Sequence, residues 1–171
     1  ELEVKGIKFF SLSTPSFGKK NINIKINDYS SQKNLTGNIE TKKIVYNYFF
    51  KKWKKIIKSP ENIIITSGAK SAIYCALRAI LTNKNKVLIV CPAWPTYEQL
   101  IRFNNAIPVH YNTKFKEQFK ININEIKRIY LRHKFKIIIL SNPNNPTGKI
   151  YDKKILNDIY KFCLNNKIYF L

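Results

Sequence analysis

Ile137-Ile138-Ile139-Leu140-Ser141-Asn142-Pro143-Asn144-Asn145-Pro146-Thr147-Gly148 is the stretch on which the fold turns. Its apolar start, with no polar alternation, reads as a strand buried on both faces. A polar segment braced by two prolines follows where that strand ends. In open α/β sheets this end is where ligands bind. Each proline fixes φ and withholds a backbone donor, so the asparagine carboxamides between them are held and aimed. An Asn offers a neutral donor and a neutral acceptor, suited to gripping a small polar ligand without bringing charge. Taken alone, the segment serves equally as an ordinary turn, because Asn-Pro and Pro-Thr-Gly favour turns unaided.

Working outward, the same rhythm recurs. Ile63–Thr66 reads as a strand, Ser67-Gly68 as a turn, and a helix with Ile73, Ala76, Leu77 and Ile80 on one face follows. Val87–Val90, Ile107–Tyr111, Ile137–Leu140 and Ile168–Leu171 are further strands, separated by helices over Pro95–Phe103, Asn124–His133 and Asp152–Asn165. Asp152 is placed to cap the last of these. Apolar runs alternating with helices predict an α/β fold, a three-layer α/β/α arrangement with a mostly parallel sheet. Upstream, Glu40 opens an amphipathic helix carrying Ile44, Val45, Tyr48 and Phe49, then Trp53, Ile56 and Ile57, and Ser59-Pro60 ends it. Residues 1–39 are an irregular N-terminal arm with a short strand over Lys19–Ile26, and residues 40–171 are the α/β domain.

A chain of 171 residues with 44% hydrophobic and 13% aromatic residues can build one real core. No stretch approaches the ~20 apolar residues of a membrane helix, so no membrane partner is expected. Cys75, Cys91 and Cys163 are an odd set without metal-ligand spacing, which fits reduced core thiols in a cytoplasmic compartment. The net charge of +21 invites a nucleic-acid partner. The lysines are nevertheless spread along the whole chain, and the densest run, Lys51–Lys58, fits the solvated end of an amphipathic helix. A basic anion- or nucleic-acid-binding module without catalysis is therefore a rival reading, and nucleic acid is not the favoured partner. The chain lacks Met and stops inside an apolar strand, so it is expected to be an internal segment of a longer product.

Two further motifs follow strands. Thr66-Ser67-Gly68-Ala69-Lys70 provides a glycine-mediated turn into a helix whose free N–H groups attract anions. Cys91-Pro92-Ala93-Trp94-Pro95-Thr96-Tyr97 holds a flat ring between prolines, able to stack on an aromatic ligand. Each is more often an ordinary βα turn or a core anchor when met alone. In series, with the Asn-Pro turn, they describe a pocket for a phosphorylated aromatic ring.

Those motifs, with the weaker arm pattern Ser11-Leu12-Ser13-Thr14-Pro15-Ser16-Phe17, resemble the large domain of the class I/II aminotransferases, the fold-type I enzymes that use pyridoxal 5′-phosphate (PLP). The resemblance covers about Gly37 to Leu171. It implies that the backbone of Gly68, Ala69 and Lys70 holds the cofactor phosphate and that Trp94 stacks on the pyridine ring. It further implies that Asn145 bonds the 3′ oxygen, and it makes Tyr29 the candidate arm tyrosine reaching the partner subunit's phosphate. Amino-acid and 2-oxo-acid substrates and a homodimer follow from the same resemblance, with a PLP lyase or synthase of the same fold as the alternative.

The chain also departs from the family. The arm between Phe17 and Tyr29 is short, Ser13 stands where Gly is common, and no lysine lies in the family's Ser-Lys context. The Schiff-base lysine and the pyridinium-binding Asp are expected past Leu171. No catalytic nucleophile is nominated, and the chain as printed is expected not to transaminate.

Overall fold

The computed structural model describes residues 35–50 and 59–171, and Thr36–Leu171 form the unit that carries the fold. The arm, Tyr29, the predicted strand at Lys19–Ile26 and the Lys51–Lys58 run lie outside the described residues. Helix α1 spans Ile39–Val45, with Asn38 as its cap: Glu40 N donates to Asn38 Oδ1 at 2.7 Å. It widens into a π-helical turn over Tyr46–Phe50. The first part of the predicted helix, up to Phe50, is helical, and Ile44 and Tyr48 on its periodic face stay exposed, while its continuation through Trp53 and Ile57 lies outside the described residues.

The rest alternates as expected. Helix α2 is Gly68–Ile80, strand β1 is Lys86–Cys91, helix α3 is Thr96–Phe103 and strand β2 is Ile107–Asn112. Helix α4 is Ile123–His133, strand β3 is Ile137–Ile139, helix α5 is Lys153–Asn165 and strand β4 is Tyr169–Phe170. Asp152 caps α5 as its position suggested, accepting from Ile155 N at 2.9 Å. All pairings are parallel, in the order β2-β1-β3-β4.

Successive β1 side chains point to opposite faces, so one apolar run feeds two cores. Val87 and Ile89 pack with Leu77, Leu100, Ile101, Ile137 and Ile139 beneath α2 and α3. Leu88 and Val90 pack with Val109, Ile126, Phe135, Ile138, Ile159 and Cys163 beneath α4 and α5. Helices therefore cover both faces, which is the three-layer α/β/α arrangement. Each fully buried aliphatic side chain contributes about 1.5–3 kcal/mol to holding the layers together.

One predicted strand is corrected. Ile63 is extended, but Ile63–Thr66 pairs with no strand among the described residues. Ile63 is buried, whereas Ile64 is 66% exposed. An apolar β-branched run becomes a strand only where a neighbour completes its ladder, and here the Ile65 N–H goes to Thr36 O at 3.0 Å. The two backbones meet closely at Gly37, where an added Cβ would lie 2.7 Å from Ile65 Cβ and where φ is +103°. Glycine is required there on both counts.

The strand order has one functional consequence. From β1 the chain steps outward to β2, then returns across β1 to β3. The reversal falls between β1 and β3, and in such sheets the crevice outside the carboxyl ends of these strands is the ligand site.

Candidate functional site

The carboxyl end of β1 leads into Pro92-Ala93-Trp94, and the end of β3 leads into the Ser141–Gly148 turn. The two turns are joined directly. The Asn144 carboxamide donates from Nδ2 to Pro92 O at 3.1 Å, and its Oδ1 accepts from Thr147 Oγ1 at 2.7 Å and Thr147 N at 3.3 Å. Asn144 is 4% exposed, so these bonds replace its hydration. Backbone bonds Asn144 N to Lys149 O and Gly148 N to Asn144 O, both 2.8 Å, close the turn. Asn142 Oδ1 accepts from Tyr151 N at 2.9 Å and pins its far side. Asn145 differs from both. Its backbone N donates to Ser141 Oγ at 3.2 Å, while its carboxamide is exposed and makes no hydrogen bond among the described residues.

Trp94 is half-buried, set edge-to-face against Tyr97 with ring centroids 5.5 Å apart. The Lys70 ammonium lies 5.4 Å from the centre of the Trp94 ring, so the start of α2 reaches the same place as the β1 turn. Ile73 and Leu77 of α2 pack in one core with Cys91, Ala93 and Tyr97, which fixes the helix relative to that turn.

The α2 N-terminus is left without a side-chain cap. Ser67 makes no side-chain capping bond, and the first turn holds no acidic residue. Thr66 Oγ1 and Ser71 Oγ donate to the Gly68 and Ser67 carbonyls, so neither caps the helix N–H groups. The Gly68 N–H turns back to Thr66 O at 2.8 Å. First-turn N–H groups have no intrahelical partner, which leaves those of Ala69 and Lys70 as open donors. Gly68 has φ +82°, with nothing within 4 Å of the place a Cβ would occupy. The space before the helix is open.

Other reactive groups fall elsewhere. Burial pushes the Cys163 thiol up to about 11, and burial followed by the Glu98 carboxylate raises Cys91. Both are protonated at neutral pH and all three cysteines are free, but the core reading holds for Cys163 and in part for Cys91 only: Cys75 lies on the exposed side of α2. Glu98 bonds Arg102 at 2.7 Å and His110 at 3.1 Å on the exposed side of α3 and β2. The Arg102 hydrogen bond, more than that of His110, holds its carboxyl below the usual range. No group of three or more His, Cys, Asp or Glu able to hold a metal occurs among the described residues. A concavity of about 380 Å³ between α4 and α5 is lined by Ile123, Lys127, Asp158, Lys161, Phe162 and Asn165, and none of the residues expected at the site lines it. No described helix is long and apolar enough to cross a membrane.

Comparison with known proteins places the chain in a family. The model for "Aminotransferase class I and II" covers residues 14–171. The chain belongs to the class I and II aminotransferase family. A probable aspartate/prephenate aminotransferase of Aquifex aeolicus is 32% identical over 120 residues, 70% of this chain and 30% of that protein. An aspartate aminotransferase of Bacillus sp. (strain YM-2) is 31% identical over 119 residues, 70% of this chain and 30% of that protein. Among solved structures, the aspartate aminotransferase of Thermotoga maritima superimposes with a TM-score of 0.73 at 25% identity, covering 79% of this chain and 36% of that one. The chain thus spans about 30% of the length of the curated relatives it matches.

Class I and II aminotransferases work with PLP, and the chemistry of the donor set fits that group. An uncapped helix N-terminus accommodates a phosphate, Trp94 offers a ring, and Asn145 offers a neutral, unpaired carboxamide. Gly68, Ala69, Lys70, Trp94 and Asn145 all border one sheet end, whereas Tyr29 lies outside the described residues. Asn144 is the residue that sequence reasoning missed. Within Pro-Asn-Asn-Pro nothing distinguishes the asparagine that ties the turns from the one that faces outward.

Proposed function

We propose that this chain is the cofactor-gripping part of a PLP-dependent aminotransferase that moves an amino group between an amino acid and a 2-oxo acid. The observation that carries the reading is the convergence, at the switch point between β1 and β3, of an uncapped helix start, a held indole and one unpaired carboxamide. Residues 1–39 would be the arm and 40–171 the incomplete large domain of a homodimer working in the cytoplasm.

Each residue then has a task of its own. The open N–H groups of Ala69 and Lys70 hold the phosphate, while the bend at Gly68 lets the backbone approach it. Trp94 presents its ring for stacking on the pyridine. The Asn145 carboxamide donates to the ring oxygen and favours its anionic form. PLP, when bound, supplies the electron sink for the reacting carbon. No lysine here stands in the family's Ser-Lys context, so these residues bind and tune the cofactor and do not by themselves complete transamination.

The test is a PLP titration followed by tryptophan fluorescence, with inorganic phosphate as competitor. Asn145→Ala should weaken PLP binding by about tenfold, the size of one hydrogen bond to a charged group. Because its carboxamide is exposed and unpaired, the melting temperature should hold. Failure of PLP to bind, or equal binding by both proteins, would remove the reading.

A further inference from the structure

Asn144 reaches across 52 residues of sequence to the carbonyl of Pro92, two positions before Trp94. The same side chain clamps Thr147, two positions after Asn145, through both the hydroxyl and the backbone N–H. Among the described residues, no other side-chain hydrogen bond joins the β1 turn to the β3 turn. We propose that Asn144 is a positioning residue for the cofactor. Resting on the roles of Trp94 and Asn145 proposed above, it sets the distance and angle between the stacking ring and the outward carboxamide, and so governs how well Asn145 meets the ring oxygen.

The bond polarity makes this specific to an amide. A carbonyl can only accept, so the atom facing Pro92 O must donate, while the atom facing Thr147 must accept. Asn144→Asp keeps the shape and the acceptor but sets a carboxylate oxygen against a carbonyl in a site that is 4% exposed. The turns should then separate on the Pro92 side while the Thr147 clamp persists. Asn144→Ser is the gentler variant, retaining a polar atom for Thr147 but lacking the reach to Pro92.

The readout is the pH midpoint of the visible absorption of PLP bound to the protein, which follows ionisation at the ring oxygen. Removing a donor to an oxyanion raises that midpoint. Asn145→Ala should therefore shift it upward, by about one unit for a hydrogen bond to a charged group. Asn144→Asp and Asn144→Ser should shift it the same way and weaken PLP binding by about tenfold or more, as loss of an orienting partner does elsewhere. Adding either to Asn145→Ala should shift the midpoint no further, because the carboxamide being oriented is gone. A role in stability alone would instead lower the melting temperature of both Asn144 variants and leave the midpoint in place, and that result overturns the proposal. If Asn145→Ala moves the midpoint and neither Asn144 variant does, only the positioning role falls. If Asn145→Ala moves nothing, the cofactor reading falls and the positioning role with it.

Discussion

Replacing Lys70 by Met separates ligand binding from stability, because two opposed effects meet at this side chain. Lys70 is the third residue of α2, where a cation opposes the macrodipole and costs about 0.3–1 kcal/mol. Its ammonium sits 5.4 Å from the Trp94 ring centre at an exposed position, worth about 0.5–1 kcal/mol in return. Met keeps the apolar stem and deletes both. The ligand-free protein should change by no more than about 0.5 kcal/mol, roughly 2 °C in melting temperature for a chain of this size. A bound phosphate changes the balance, since its charge both neutralises the helix end and attracts the ammonium. Losing that attraction should weaken PLP binding by about fivefold to tenfold, equivalent to about 1–1.4 kcal/mol at an exposed, salt-screened site. Thermal melts at low ionic strength give the first quantity. Quenching of Trp94 fluorescence by PLP, in a Trp53→Phe background, gives the second. A fall of more than about 5 °C without ligand would make Lys70 a structural anchor. Unchanged PLP affinity would show that it faces no phosphate.

Two further outcomes test the surroundings of the site. Glu98 has a folded pKa depressed chiefly by Arg102, so its contribution to stability is present above the ordinary carboxylate pKa and lost as pH falls through the lower folded value; melting curves of the wild type and Glu98→Gln should differ at neutral pH and converge in acid. Asn104 is 2% exposed and its Oδ1 has no partner, while its Nδ2 donates to Leu100 O at 2.9 Å. Asn104→Ala gives up one bond of about 1 kcal/mol and relieves an unsatisfied buried oxygen costing about 1–3 kcal/mol. Denaturant unfolding should show an unchanged or more stable protein, and a loss beyond about 1 kcal/mol would mean the oxygen is satisfied after all.

Much of the fold was legible because periodicity is a local signal. The triple Ile run of β3 and the Val87–Val90 run of β1 carry their burial in their spacing and landed within a residue of their expected bounds, and the helix expected around Leu77 forms as α2. Ile63–Thr66 carries the same signal and forms no paired strand, because a ladder depends on a neighbour that local spacing cannot supply. The helix at Ile39 likewise forms as its pattern requires, yet Ile44 and Tyr48 remain exposed. Periodicity says which face is apolar and not whether anything covers it.

The candidate site divides in the same way. Sequence alone determined which residue types stand at the strand ends: the glycine turn into α2, the proline-bracketed Trp94 and the paired asparagines. Turn chemistry and strand endings are written in consecutive residues. Only the tertiary structure decided that β1 and β3 are neighbours flanking the reversal of strand order, and that Lys70 meets Trp94. It alone decided that Asn144 turns inward to Pro92 while Asn145 turns out. Adjacent residues of one type differ only in what surrounds them, and those surroundings come from segments about fifty residues away, brought together by burial on the two faces of the sheet.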